Sequence, residues 1–541
     1  MAAEKYFIIG IGGTGMRCIE AFTHLCAIGL FDNKEIDILS IDTDTNNGNK
    51  GRSEQLIDRY IRIKGGADGK PTANSFFTAK LNIYKFAPEY SGNRLTYELI
   101  SGLNSGSADT KKENKALSDL FFDDDVQKFK LDHGYRAQTH LGSHLMYHCI
   151  VEAAKNVSKG GRRKEDLELA SFLDKIYQAG ENARVFILGS IFGGTGASAI
   201  PIIPKALKDA VRIKDKNAEI HPKAKFACSL LSEYFNFDVT GIAAQKKEEK
   251  IVADCNNFSR NSQAALMFYQ ADATVKATYK LMYHIGWPKK ADFSQGTTSA
   301  KTITGGGEQK NPCHITELFC AFAVYDFFNR VDGLDQHDII FKSANFQNNS
   351  FLFEFKDFLG ADNAKELMNK MGSFLAFSHI IINAEKGGFG QNGAANLVKK
   401  FKEFNIPDYI NLDVNDAKDI DEFVKAFSFN YDTKGEIIPG WLYQIKQSVE
   451  GDFLFTTDAL STNKKQLKEF NFGQLFREEA YQFAKDGKIM SGKPYEEFRN
   501  TIQKDLTVKP SPDKQKVERL NERFLAHTYN TLTKLYKIVN L

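Results

Sequence analysis

Two short glycine-rich turns, each set between an apolar run and a helix-like run, constrain this chain more than any other feature. The first follows Tyr6-Phe7-Ile8-Ile9-Gly10-Ile11, reads Gly12-Gly13-Thr14-Gly15, and leads into Met16 to Phe22. The second follows Arg184-Val185-Phe186-Ile187-Leu188-Gly189, reads Phe192-Gly193-Gly194-Thr195-Gly196-Ala197-Ser198, and leads into Ala199 to Leu207. Both read as strand, turn, helix, the repeating unit of a parallel α/β sheet. Glycine lets the backbone turn tightly and approach a ligand with no Cβ in the way. The helix start behind it offers unpaired N–H groups and a partial positive charge, which suit phosphate. No Lys-Ser or Lys-Thr follows either turn, which excludes a Walker P-loop.

Further elements fall in register with this reading. Ile36 to Ile41 is a strand ending in Asp42-Thr43-Asp44, and Lys225 to Leu231 and Tyr279 to His284 are further strands. Residues 46–132 are polar and poorly periodic, and read as insertions and short helices, partly mobile. Gly134 to Gly142 precedes a helix from Ser143 to about Lys155, and another helix runs from about Asn257 to Gln270. The segment from Asn311 to Phe328 is apolar on enough sides to be a buried central helix. Beyond about Ile340, amphipathic helices replace the strand–turn–helix units; Thr507 to Asp513 reads as a linker, and Val517 to Val539 as a terminal helix.

Composition narrows the function classes. A net charge of +3 over 541 residues gives no footprint for nucleic acid or an anionic membrane. Seven cysteines without a CxxC pair indicate neither a disulfide framework nor a zinc ribbon. With no secretory pattern at Met1 to Lys5 and no apolar stretch of spanning length, the expected compartment is the cytoplasm.

Taken singly, the first turn fits several folds. Gly10 to Gly15 with Asp42 or Asp44 on a ribose would suit a dinucleotide fold. Gly-Ile-Gly-Gly-Thr-Gly followed by Asp-Thr-Asp also resembles the adenylating enzymes related to ThiF. The full order of motifs resembles the tubulin/FtsZ superfamily, in a divergent bacterial branch: Gly12 to Gly15, Asp42-Thr43-Asp44, Gly134 to Gly142, then Phe192 to Gly196. Ser259 to Leu266 is similar to the helix that flanks the base in that family. The resemblance covers roughly residues 5–340.

The resemblance implies a parallel-sheet domain that binds GTP or GDP with Mg2+ (1–310), a central helix and catalytic-type loop (311–339), and a helix-rich C-terminal assembly or partner domain (340–541). It implies nucleotide contacts from Gly12, Gly13, Thr14, Gly15, Arg17, Asp42, Thr43, Asp44, Gly193, Gly194, Thr195, Gly196, Ala197 and Ser198. Asn257, Arg260 and Asn311 are the candidates for base and sugar, and Asp44 for the metal. Two positions depart from the family pattern: Asp42 stands where Asn is usual, and Arg17 where Asn or Gln is frequent. Hydrolysis in that family needs an acid after the central helix, supplied to the next molecule's nucleotide; here Asp335 is first choice and Asp332 second. The expected partner is a second copy, added head to tail into a filament. The alternatives are an ATP-dependent adenylating enzyme and a nucleotide-binding scaffold without turnover.

Overall fold

The computed structural model describes residues 3–88, 96–101, 106–131, 134–236, 251, 253–288, 290–292, 307, 309–334, 337–343, 345–347, 350–352, 354–382, 412–449, 460, 501 and 520–535. Asp335, the 507–513 linker, and Val517 and Val539 of the terminal segment lie outside them.

Seven strands form one sheet: β1 (Lys5–Ile11), β2 (Glu35–Ile41), β3 (Lys80–Phe86), β4 (Ala183–Leu188), β5 (Lys225–Leu231), β6 (Tyr279–Gly286) and β7 (Asp338–Ser343). Their order is β3-β2-β1-β4-β5-β6-β7, and every pairing is parallel. Period-two alternation sends neighbouring side chains to opposite faces. In β1, Ile8 packs into one core and Phe7, Ile9 and Ile11 into the other; in β4, Phe186 and Leu188 divide likewise from Val185 and Ile187.

The first face carries α1 (Gly12–Ala27) and α2 (Gly48–Lys64); the second carries α3 (Thr139–Ser158), α4 (Lys164–Ala179) and α6 (Ile203–Lys214), the last reached through the short α5 (Thr195–Ala199). Helix α7 (Phe258–Ala271) precedes β6. The central helix is α8 (Ile315–Asn329), in which only Asp326 and Asn329 escape burial. His314 and Glu317 start it with a capping box, the Glu317 carboxylate accepting from the His314 N–H at 3.1 Å.

Beyond the sheet the described chain is mainly helical. Helices α9 (Ala361–Ile382), α10 (Val414–Phe427) and α11 (Leu520–Leu535) close over α1 and α2, sharing the first core. Phe76 stacks on Phe377 at 5.1 Å, and Arg62 makes two bonds to Asp419 at 2.9 and 2.8 Å. Strand β7 hydrogen-bonds β6, so the sheet continues to Ser343.

The reading of 46–132 as insertions and short helices is corrected by α2 and β3. Helix α2 is 17 residues long, and Asn47 caps it by accepting from the N–H groups of Asn49 and Lys50. Its buried stripe, Leu56, Ile57, Tyr60 and Ile63, is short and is diluted by the polar residues around it. Strand β3 is the sheet edge, where only Leu81 and Phe86 are fully buried, so its apolar signal is weak.

Candidate phosphate-binding crevice

Both glycine turns sit where the strand order reverses. Order 3-2-1-4-5 places β1 beside β4, and the connections from these two neighbours leave in opposite directions. In open parallel sheets this switch point, outside the C-terminal strand ends, is where a crevice forms.

Four segments distant in sequence converge there. Gly12 has φ +64°, and a Cβ added to it would lie 3.2 Å from the Thr195 Cβ. Gly134 has φ +80°, and its Cβ would lie 3.5 Å from both the Thr195 and the Thr43 hydroxyl oxygens. A Cβ on Gly194 would meet the Ala137 nitrogen at 2.8 Å and the Arg136 nitrogen at 3.1 Å. Arg136 and Ala137 both have positive φ, 46° and 64°, which is uncommon for residues with a side chain. Gly15 lets α1 approach β4, since its Cβ would fall 2.4 Å from the Leu188 carbonyl oxygen.

The β2 side of the crevice is polar and incompletely satisfied. Asp42 is 2% exposed and Thr43 3%, yet Asp42 Oδ2 and Thr43 Oγ1 have no hydrogen-bond partner among the described residues. The other Asp42 oxygen accepts from the Asp44 N–H at 3.1 Å, and an Asp44 oxygen accepts from the Asn46 N–H at 3.1 Å. Burial pushes the Asp42 carboxyl up to about 7, against the opposing pull of Lys50. A buried orphan carboxylate oxygen calls for a donor or a cation. That need fits a phosphate-bound Mg2+, with Asp42 and Asp44 as the residues to hold it.

The remaining candidates divide. Thr195 to Ser198 begin α5, and the Ser198 hydroxyl bonds back to the Gly194 carbonyl. Gly193 stands beside the Ser190 hydroxyl, where its Cβ would be 3.5 Å away. Asn257 and Arg260 are exposed, at the end of the turn leading into α7 and on its first turn. Asn261, the neighbour of Arg260, donates to the Phe192 carbonyl at 3.1 Å and so ties α7 to the second turn. Asn311 is 6% exposed; its carbonyl accepts from Arg17 at 2.7 Å and Arg52 at 3.1 Å, and its N–H donates to Asn49 at 3.0 Å.

Arg17 takes a different place from the expected nucleotide contact. It is 1% exposed, and its guanidinium is occupied by Glu317 and by the carbonyls of Asn311 and Pro312. Four residues past Gly13, it is carried by the helix turn toward the start of α8.

Asn47 was not legible as a site residue. A Cβ on Gly13 would lie 3.1 Å from its amide, which also donates to Gln309 at 2.6 Å. The local signal was an Asn placed to cap a helix, hidden because α2 itself was not recognised.

Asp332 is exposed and lies at the other edge of the sheet. Arg184, near the start of β4, donates to the carbonyls of Phe327 at 2.6 Å and Arg330 at 2.8 Å, fixing the end of α8 at the N-terminal strand edge. His337 reaches the carbonyl of Tyr279, the first residue of β6, at 2.8 Å. Among the described residues no three His, Cys, Asp or Glu side chains are assembled as a metal site, and no helix is long and apolar enough to cross a membrane.

No family model matches the chain, and no curated protein does. Among solved structures, CetZ from Methanosaeta thermophila strain DSM 6194 is similar over 52% of this chain and 46% of that chain, with 10% identity and a TM-score of 0.21. An overlap of that size and identity shows neither a family nor an activity. The class defined by the structure is an α/β protein with a seven-stranded parallel sheet and a helical C-terminal region.

Proposed function

We propose that this chain is a GTP-binding, tubulin-like protein that assembles head to tail and hydrolyses GTP at the joint between subunits. The observation that carries the reading is the meeting of Gly12, Thr43, Gly134 and Thr195, from four separate segments, at the β1/β4 switch point. Backbone N–H groups at the starts of α1 and α5 bind phosphates, and the Thr195 and Thr43 hydroxyls add donors. Asp44 and Asp42 would hold Mg2+, and the chemistry it would supply there is neutralisation of phosphate charge.

Helix α8 separates this crevice from the acids after it. Its 15 residues span about 22 Å at 1.5 Å per residue. Asp332 therefore cannot serve its own chain's phosphate crevice and is available to that of the next subunit. Such a heterologous contact repeats without closing and builds a filament. There the acid orients the attacking water.

The test is nucleotide binding and turnover with purified chain and GTP or ATP. Saturable GTP binding with turnover that rises more steeply than protein concentration supports the reading. ATP-dependent pyrophosphate exchange would instead favour an adenylating enzyme, and binding without turnover a scaffold.

A further inference from the structure

Gly13 is a glycine for a reason that its backbone does not supply. Gly12 beside it has a φ of +64°, a conformation that favours glycine, whereas Gly13 does not have positive φ. What Gly13 faces is the end of the buried Asn47 side chain. A Cβ added to Gly13 would lie 3.1 Å from both Asn47 Oδ1 and Asn47 Nδ2. The first glycine turn is therefore backed by an amide that leaves it no room for a side chain.

That amide is held at both of its polar atoms. Its oxygen accepts from the N–H groups of Asn49 at 3.0 Å and Lys50 at 3.1 Å, and its nitrogen donates to Gln309 Oε1 at 2.6 Å. Donors on one side and an acceptor on the other allow one amide orientation only. Gln309 belongs to the stretch that leads into α8, and this stretch is seated on the start of α2. A Cβ on Gly48 would lie 2.8 Å from the Gln309 carbonyl oxygen, and the Asn311 N–H donates to the Asn49 side chain at 3.0 Å. Two segments some 260 residues apart thus fix the Asn47 amide against the turn.

We infer that Asn47 is a positioning residue for phosphate binding: it braces the first glycine turn so that the N–H groups at the start of α1 are set for phosphate before the ligand arrives. The inference rests on the phosphate reading of the crevice. A run of glycines is the backbone with the most freedom to lose. A cradle of backbone N–H groups at a helix start gains affinity when that freedom has been removed beforehand. Asn47 supplies the restraint from outside the turn and acts through Gly13, its own oxygen and nitrogen being engaged with α2 and Gln309.

Isothermal titration with GTP and steady-state turnover of the full chain test this. Asn47→Ser keeps a good N-cap for α2 and removes the amide. Its GTP affinity should fall about tenfold, the equivalent of one net hydrogen bond, with the loss on KM rather than kcat. Its melting without nucleotide should change little. Gly13→Ala, which pushes the amide aside, should weaken GTP binding in the wild-type background and cost little more in the Asn47→Ser background, where nothing is left to push. Wild-type GTP affinity in Asn47→Ser, a loss on kcat alone, or full additivity of the two changes overturns the inference while the phosphate reading stands. A weakening matched by an equal fall in stability without nucleotide also overturns it, by making Asn47 a cap and nothing more. A wild type that binds no GTP overturns the reading itself and the inference with it.

Discussion

Arg17 and Glu317 stand 300 residues apart in sequence and form a fully buried ion pair, with Arg17 Nε donating to Glu317 at 2.6 Å. Tyr234 donates to the same carboxylate at 2.7 Å. The pair fastens the start of α8 to the helix that carries the first glycine turn. Arg184 fastens the other end of α8 to the strand that carries the second. Both glycine-turn units thus hold the central helix, one at each end.

Removing one partner of a buried pair leaves the other charge uncompensated. Arg17→Met should therefore cost about 3–5 kcal/mol of stability, measured by urea denaturation. The double change Arg17→Met/Glu317→Leu should cost less than Arg17→Met alone, because no bare charge remains. A double variant as unstable as the sum of the two single changes would contradict this.

Thr195→Val keeps the shape of the residue that Gly12 and Gly134 approach but removes its hydroxyl. A hydrogen bond to a charged group is worth about 1.5–3 kcal/mol, so GTP affinity should fall roughly tenfold to a hundredfold. The melting temperature without nucleotide should stay within error. By contrast, Gly15→Ala places a Cβ 2.4 Å from the Leu188 carbonyl oxygen and should lower stability directly.

Asp42→Asn removes a carboxyl that burial has pushed up to about 7. The folded acid is neutral well below that value and is a buried charge above it. The variant should therefore raise the melting temperature more near pH 8 than near pH 5. It should also weaken Mn2+ uptake by the nucleotide complex, read by electron paramagnetic resonance. An unchanged pH profile would contradict the placement of this carboxyl.

Acid should destabilise the fold through its buried histidines. Burial holds His314 and His379 down to about 3, and His24 well below the ordinary value. The unfolded chain takes up these protons below about pH 6.5 while the folded chain does not, so stability is lost as pH falls. Each such group contributes a slope of about 1.4 kcal/mol per pH unit. Asp42 works in the opposite sense, since its folded form gains a proton first, but it is one group against three. Melting at pH 5 should fall below that at pH 7, and His379→Gln should make the decline shallower.

Much of the sheet was legible because its central strands are buried on both faces and read as continuous apolar runs. Tyr6 to Ile11 and Lys225 to Leu231 match β1 and β5 closely. The central helix was equally plain, being apolar nearly all round. What escaped notice lies at the sheet margin. Strand β3 has a half-solvated face, and α2 begins Gly-Asn-Lys-Gly, which carries a loop's composition while its cap comes from Asn47. The ion pair of Arg17 was hidden for another reason. Its nearness to the glycine turn in sequence suggested a ligand contact, whereas the residue that claims it, Glu317, cannot be paired with it from local pattern. The convergence of Thr43, Gly134 and Thr195 is likewise a tertiary fact.

A mixing experiment probes the separation of crevice and acid. One subunit type would carry Asp332→Ala and Asp335→Ala with an intact crevice; the other would keep both acids but carry Gly194→Ala, whose Cβ meets backbone nitrogens. Each alone should hydrolyse GTP poorly. Mixed, they should recover part of the activity, because one subunit's acids serve the other's nucleotide. No recovery would place the acids and the nucleotide within one chain's own reach.

Sedimentation of the full chain with GTP, with ATP and without nucleotide is the most direct measurement of the proposed function. Head-to-tail assembly predicts that the chain pellets with GTP, returns to the supernatant as GTP is consumed, and stays in the supernatant when Thr195→Val is tested at limiting GTP. A chain that remains a monomer with GTP, or that pellets equally with ATP or with no nucleotide at all, would contradict it.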